Sequence, residues 1–120
     1  MRVVALLVSS LFLFSCQTSP TGRRQLALMP EGQLHSMGAQ AFEDMKRKIP
    51  IERDATINAY VKCVAGEILQ VTPSKQSWEV VVFREKSPNA FALPGGKIGV
   101  HTGMLEVAKS ADQLAAVLGH

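Results

Sequence analysis

Hydrophobic residues recur along this chain with two different periods, and each predicts a different kind of element. After Pro30, apolar side chains stand at Leu34, Met37, Ala41 and Met45, a three- and four-residue repeat that predicts an amphipathic helix from Glu31 to about Lys48, before Pro50. Ile57, Tyr60, Val61, Val64, Ala65 and Ile68 form a second stripe, opened by Asp54 as N-cap and broken by Thr72, Pro73 and Ser74. The pattern then changes. Trp78–Phe83, WEVVVF, is a run of β-branched and aromatic residues that predicts a strand. Ala90–Leu93 reads as a short extended arm, Pro94, Gly95 and Gly96 as a turn, and Lys97–His101 as a return strand, which together make a hairpin with an edge open to pairing. Thr102 is placed to cap a short helix through Ala108. Ser110 with Gln113 three residues later matches a capping box for a last helix from Ala111, with Leu114, Val117 and Leu118 as its apolar side chains. This order predicts an α+β fold, with helices packed on a small, mostly antiparallel sheet.

The N-terminal segment reads differently. Arg2 precedes an apolar or small-residue run from Val3 to Phe14, the form of a secretory signal and shorter than the ~20 apolar residues of a membrane span. Leu13, Phe14, Ser15 and Cys16 resemble a bacterial lipobox, whose cysteine is acylated and becomes the new N-terminus. On this reading residues 1–15 are a lipoprotein signal peptide, 16–30 a lipid-anchored tether and 31–120 the folded domain. Acyl chains on Cys16 would bind membrane with about 0.8 kcal/mol per buried methylene. Gln17 after the cysteine favours the outer over the inner membrane, so the expected location is a bacterial cell envelope, facing the periplasm.

Composition narrows the functional classes. The chain of 120 residues, 47% hydrophobic and 19% charged, has material for one modest core. Its net charge of +3 comes from local groups such as Lys46, Arg47 and Lys48, which sit where a helix C-terminus favours cations, so no nucleic-acid partner is expected. Met37 and Met45 are read as core-stripe residues, and Cys63, beside Val61 and Val64, as a buried, inert thiol. His35 is expected on an exposed helix flank, and His101, at a strand end, is not assigned to a metal.

The order SPNAFALPGGKIGVHTGML, a spacer, then ADQLAAVLGH resembles metallopeptidase family forty-eight, zinc enzymes of the gluzincin group. The group includes CAAX prenyl proteases, a mitochondrial inner-membrane quality-control protease and bacterial lipoprotein relatives. The resemblance covers roughly Pro30 to His120 and is strongest from Asn89 onward. It implies that residues 31–120 are the N-terminal part of a zincin-like domain, and that His120 stands at the first position of an H-E-x-x-H helix. Two histidines at i and i+4 share a helical face and can meet one Zn²⁺, with the glutamate between them as general base. By resemblance His120 is a zinc ligand, the general base is expected just beyond it, and Asn89, Ala90 and Phe91 lie on or near an edge strand that holds substrate as an added strand. GGK is not a phosphate loop, since it has neither the upstream glycine nor the following Ser or Thr.

The expected function is therefore zinc-dependent endoproteolysis of envelope proteins, misfolded ones among them, by an enzyme of which this chain is an incomplete fragment. The alternative is a non-catalytic, membrane-anchored lipoprotein that binds a peptide or protein partner through the same edge strand.

Overall fold

The computed structural model describes residues 29–120; the segment read as a signal peptide, residues 1–15, and Cys16, read as a lipidation site, lie outside the described residues. Two long helices come first, α1 (Glu31–Lys48) and α2 (Ala55–Val71), then β1 (Glu79–Phe83), β2 (Ala90–Leu93), β3 (Lys97–His101), α3 (Thr102–Val107) and α4 (Ala111–Gly119). The N-caps of α2 and α4 are as the sequence predicts. Asp54 Oδ1 accepts from the Ile57 amide at 2.9 Å, and Ser110 Oγ accepts from the Gln113 amide at 3.1 Å. The return half of the capping box is shifted by one residue, with Gln113 Oε1 accepting from the Lys109 amide at 2.8 Å. Thr102 does not cap α3: its Oγ1 bonds the backbone of Glu85 instead, and the N-cap residue is His101.

The α+β architecture is as expected, on a sheet that is mixed. Its order is β1-β3-β2, with β2 antiparallel to β3 through the predicted hairpin and β1 parallel to β3 over Glu79↔Lys97 to Phe83↔His101. Because β2 reverses the chain and β3 reverses it again, β3 returns in the direction of β1 and slots in beside it. The turn rests on two consecutive glycines with positive φ, Gly95 at 91° and Gly96 at 75°, a conformation costly for other residues.

Side chains alternate across the strands, so the sheet has two different faces. Val80, Val82, Ala90, Ile98 and Val100 face α2 and α4 and join Val61, Val64, Ala108 and Leu114 in the main core. On the opposite face, under α1, Phe42 stands edge-on to Phe83 at 5.9 Å and to Phe91 at 6.5 Å between ring centroids. Glu79 is gripped there by two lysines, Lys46 Nζ at 3.0 Å and Lys97 Nζ at 3.2 Å. Hydrogen bonding to Lys46, then to Lys97, holds the Glu79 carboxyl below the usual carboxylate range against the opposing effect of burial. The Lys46 ammonium is raised in turn by its bonds to Glu43 and Glu79.

Two predicted core positions are corrected. Met37 is 52% exposed, because the face of α1 that meets the sheet is centred on Gly38 and Phe42. A side chain at Gly38 would collide with the carbonyl of Pro94, so this helix touches the hairpin backbone to backbone. Cys63 is exposed, not buried. At about 100° per residue it stands roughly opposite Val61, and the buried line of α2 runs through Val61, Val64 and Ala65.

Candidate functional site

The expected site residues come from two elements that meet at one end of the sheet. The β2 strand lies at the sheet edge, paired only to β3. The His101 amide donates to the Asn89 carbonyl at 2.9 Å, which makes 89 and 101 a hydrogen-bonded pair. In an antiparallel ladder such pairs alternate with unbonded ones, so 91/99 and 93/97 are bonded, and the N–H and C=O groups of Ala90 and Ala92 point to the open edge. Those two residues supply the free main-chain groups that an added strand would use.

This arrangement sorts the three substrate-strand candidates. Ala90 is at the edge with its side chain against the main core. Asn89 is exposed, but its carbonyl is already engaged by His101. Phe91 turns its ring to the α1 face, stacked on Phe83 at 6.2 Å and edge-on to His101 at 6.0 Å. Ala92, which the sequence reading did not single out, carries the second set of outward groups. The signal for it was the period of two along a strand, which gives Ala92 the same orientation as Ala90.

His120 follows the last turn of α4, with its amide bonded to the Val117 carbonyl at 3.4 Å and its side chain exposed. It stands on the rim of an apolar cavity of about 260 Å³, lined also by Ala90, Phe91 and Ala92 of the edge strand, Ile68 and Leu69 of α2, and Trp78. Trp78 Nε1 is buried there without an acceptor among the described residues. The fold thus brings the candidate metal ligand and the candidate substrate strand to the same cavity, although about 30 residues separate them in sequence. The strand groups are carried by a regular element, and His120 directly follows one, α4.

The other two histidines sit apart from that cavity's lining. His35 is half-exposed, 3.6 Å from Glu31 one turn away. His101 is buried on the α1 face of the sheet, with Nδ1 3.1 Å from the Ser87 carbonyl. Among the described residues no three His, Cys, Asp or Glu side chains converge as a metal-binding group. A catalytic zinc takes three protein ligands, so an exposed imidazole on the cavity rim fits the part of one ligand, and the described residues do not by themselves close a zinc site.

Comparison with known proteins gives the family. The family described as "Peptidase family M48" matches residues 52–120, the span from just before α2 to the end of α4. M48 metallopeptidases are zinc-dependent. The chain is 44% identical over 75 residues to the mitochondrial metalloendopeptidase OMA1 of Schizosaccharomyces pombe, covering 62% of this chain and 22% of that protein. It is 33% identical over 125 residues to the mitochondrial metalloendopeptidase OMA1 of Danio rerio, covering 96% of this chain and 26% of that protein. A Vibrio cholerae protein named as a beta-barrel assembly-enhancing protease matches at 26% identity over 77 residues, 63% of this chain and 16% of that protein. The chain therefore spans about a quarter or less of the length of the curated relatives it matches.

These matches correct the expected location. Relatives from S. pombe, D. rerio, Arabidopsis thaliana, Bos taurus, Homo sapiens and Saccharomyces cerevisiae carry mitochondrial names, which overturns the bacterial-envelope reading. The physical reason is an ambiguity of composition. Residues 1–30 contain three arginines, four serines and no acidic side chain, and basic, acid-free N-terminal segments are common to mitochondrial targeting and to export.

Proposed function

Because this chain belongs to peptidase family M48, we propose that in the full-length protein it forms the substrate-holding part of a zinc metalloendopeptidase site. The observation that carries this reading is the meeting of His120 with Ala90 and Ala92 at one cavity. An extended polypeptide would add to the open edge of β2 through the outward groups of Ala90 and Ala92, which recognises backbone and tolerates varied side chains. That suits a protease acting on protein segments able to become extended, misfolded ones included. His120 would supply one zinc ligand, and the remaining ligands and the general base would come from outside the described residues. When bound, zinc polarises the scissile carbonyl and lowers the pKa of water toward neutrality.

What this chain's own residues contribute is position. Strand pairing orders several residues of the peptide and lines up its carbonyls at a regular spacing, which lowers the entropic part of the barrier. The apolar walls of the cavity limit water around the bond to be cut. Cleavage of fluorescein-labelled β-casein by the full-length protein, with zinc content measured on the same samples, tests the reading. Wild type should be inhibited by a chelator and restored by zinc, and His120→Ala should lose bound zinc and about a hundredfold or more of the rate. Unchanged zinc and rate in His120→Ala would remove His120 from the site. Casein binding by wild type without cleavage would leave the edge-strand binding protein as the better account.

A further inference from the structure

The segment that leads into β2 is fastened to the end of β3, and we propose that the His101 side chain, which makes the contact to Ser87, is a positioning residue for peptide binding. It sets the placement of the open edge at Ala90 and Ala92 without touching the peptide. This inference rests on the reading of β2 as the substrate strand.

Three contacts made by His101 fall on alternate residues of one segment. Its ring Nδ1 lies 3.1 Å from the Ser87 carbonyl and 3.3 Å from Ser87 Oγ. Its amide donates to the Asn89 carbonyl at 2.9 Å. Its ring stands edge-on to Phe91 at 6.0 Å and to Phe83 at 6.2 Å. The next two residues continue the grip: Thr102 Oγ1 bonds both the amide and the carbonyl of Glu85 at 3.1 Å, and the Gly103 amide donates to that carbonyl at 2.8 Å. Residues 85, 87, 89 and 91 are thus fastened in turn to the end of β3.

The chemistry of the ring separates positioning from packing. A carbonyl oxygen only accepts, so the shorter contact, to the Ser87 carbonyl, is a hydrogen bond in the tautomer with its proton on Nδ1, whereas Ser87 Oγ could donate to the other tautomer. Phenylalanine would fill this aromatic niche as well as histidine does, but without that donor. Ser87 is an exposed residue, and the Asn89 carbonyl keeps its bond to the main-chain amide of residue 101 in any substitution. The Nδ1 bond is therefore not needed to avoid a buried orphan; its effect is to fix where the segment lies. A peptide strand needs N···O separations of 2.7–3.2 Å, and a looser segment would present Ala90 and Ala92 with poorer alignment.

Two substitutions in the full-length protein test this, read by casein Kd from fluorescence polarisation, by KM and kcat, and by melting temperature. His101→Phe keeps the ring and loses the donor; His101→Asn places an amide N–H where Nδ1 stands and loses the ring. His101→Phe should raise Kd and KM about fivefold, with kcat changed less than about twofold and little loss of melting temperature. His101→Asn should melt lower than His101→Phe yet bind casein more nearly as wild type does. The proposal is overturned if His101→Phe binds like wild type, if binding follows melting temperature across the two variants, or if wild type does not bind casein at all. If wild type binds casein without cutting it, the peptidase reading fails alone, and the Kd comparison still decides the role of His101.

Discussion

Removing the Phe42 ring should release α1 from the sheet while leaving the opposite core intact. Phe42 is fully buried, and its ring is edge-on to Phe83 and Phe91. A buried aromatic covers roughly 150–250 Å². At about 25 cal/mol per Å² this corresponds to ~4–6 kcal/mol as an upper figure, and measured Phe→Ala losses in cores are about 3–5 kcal/mol. The Lys46–Glu79 contact and the seat of Gly38 on Pro94 remain in Phe42→Ala, but Glu79 is more than a third exposed and its ion pair is worth at most about 1 kcal/mol. The assay is native-state hydrogen exchange on the full-length protein. Amides of α1 should lose two to three orders of magnitude of protection, the factor expected for ~3–4 kcal/mol of easier opening. Amides of α2 and α4 around Val61 and Leu114 should change by less than about one order, since Phe42 makes no part of their cluster. Loss of less than one order in α1, or an equal loss in α2 and α4, would refute the division of this fold into two separate layers.

Two further outcomes follow from the same geometry. Because pairing with Lys46 and Lys97 depresses the Glu79 carboxyl, its contribution to stability is fully present above the unfolded-state value of 4.5 and is lost as pH falls through the lower folded value. Wild type should thus be up to about 1 kcal/mol more stable than Glu79→Gln at neutral pH, with the gap closing in acid; a gap that widens in acid would contradict the assignment. Ala92→Pro removes an outward N–H and no bond of the β2–β3 ladder, so melting temperature should hold while casein binding weakens by about fivefold or more, and unchanged binding would take Ala92 out of the recognition edge.

What was legible from the residues is specific. Asp54 and Ser110 as caps, the Pro94–Gly95–Gly96 turn, the WEVVVF strand and the hairpin all depend on a few neighbouring residues whose backbone preferences are local. The family was legible for a related reason: the NAFALPGG segment and the LGH ending are short runs whose chemistry is carried in order along the chain. The location was misread because a basic, acid-free N-terminus is compatible with more than one destination.

By itself, then, the sequence determined where the elements lie, that Asp54 and Ser110 cap α2 and α4, and the peptidase family. The stripes of α2 and α4 already marked Val61, Val64, Ala65 and Leu114 as the buried side, but for α1 the tertiary structure decided which face turns inward. Met37 lies in an apolar stretch, but Gly38 rather than Met37 meets the hairpin, and Cys63 lies roughly opposite Val61 on α2. Register decided the rest. Insertion of β3 between β1 and β2 leaves β2 at the edge, turns the main-chain groups of Ala90 and Ala92 outward, and brings His101 behind the segment that leads to them. Periodicity along a chain states that a residue has a burying side; only the pairing of strands and the seating of helices fixes which neighbour that side meets.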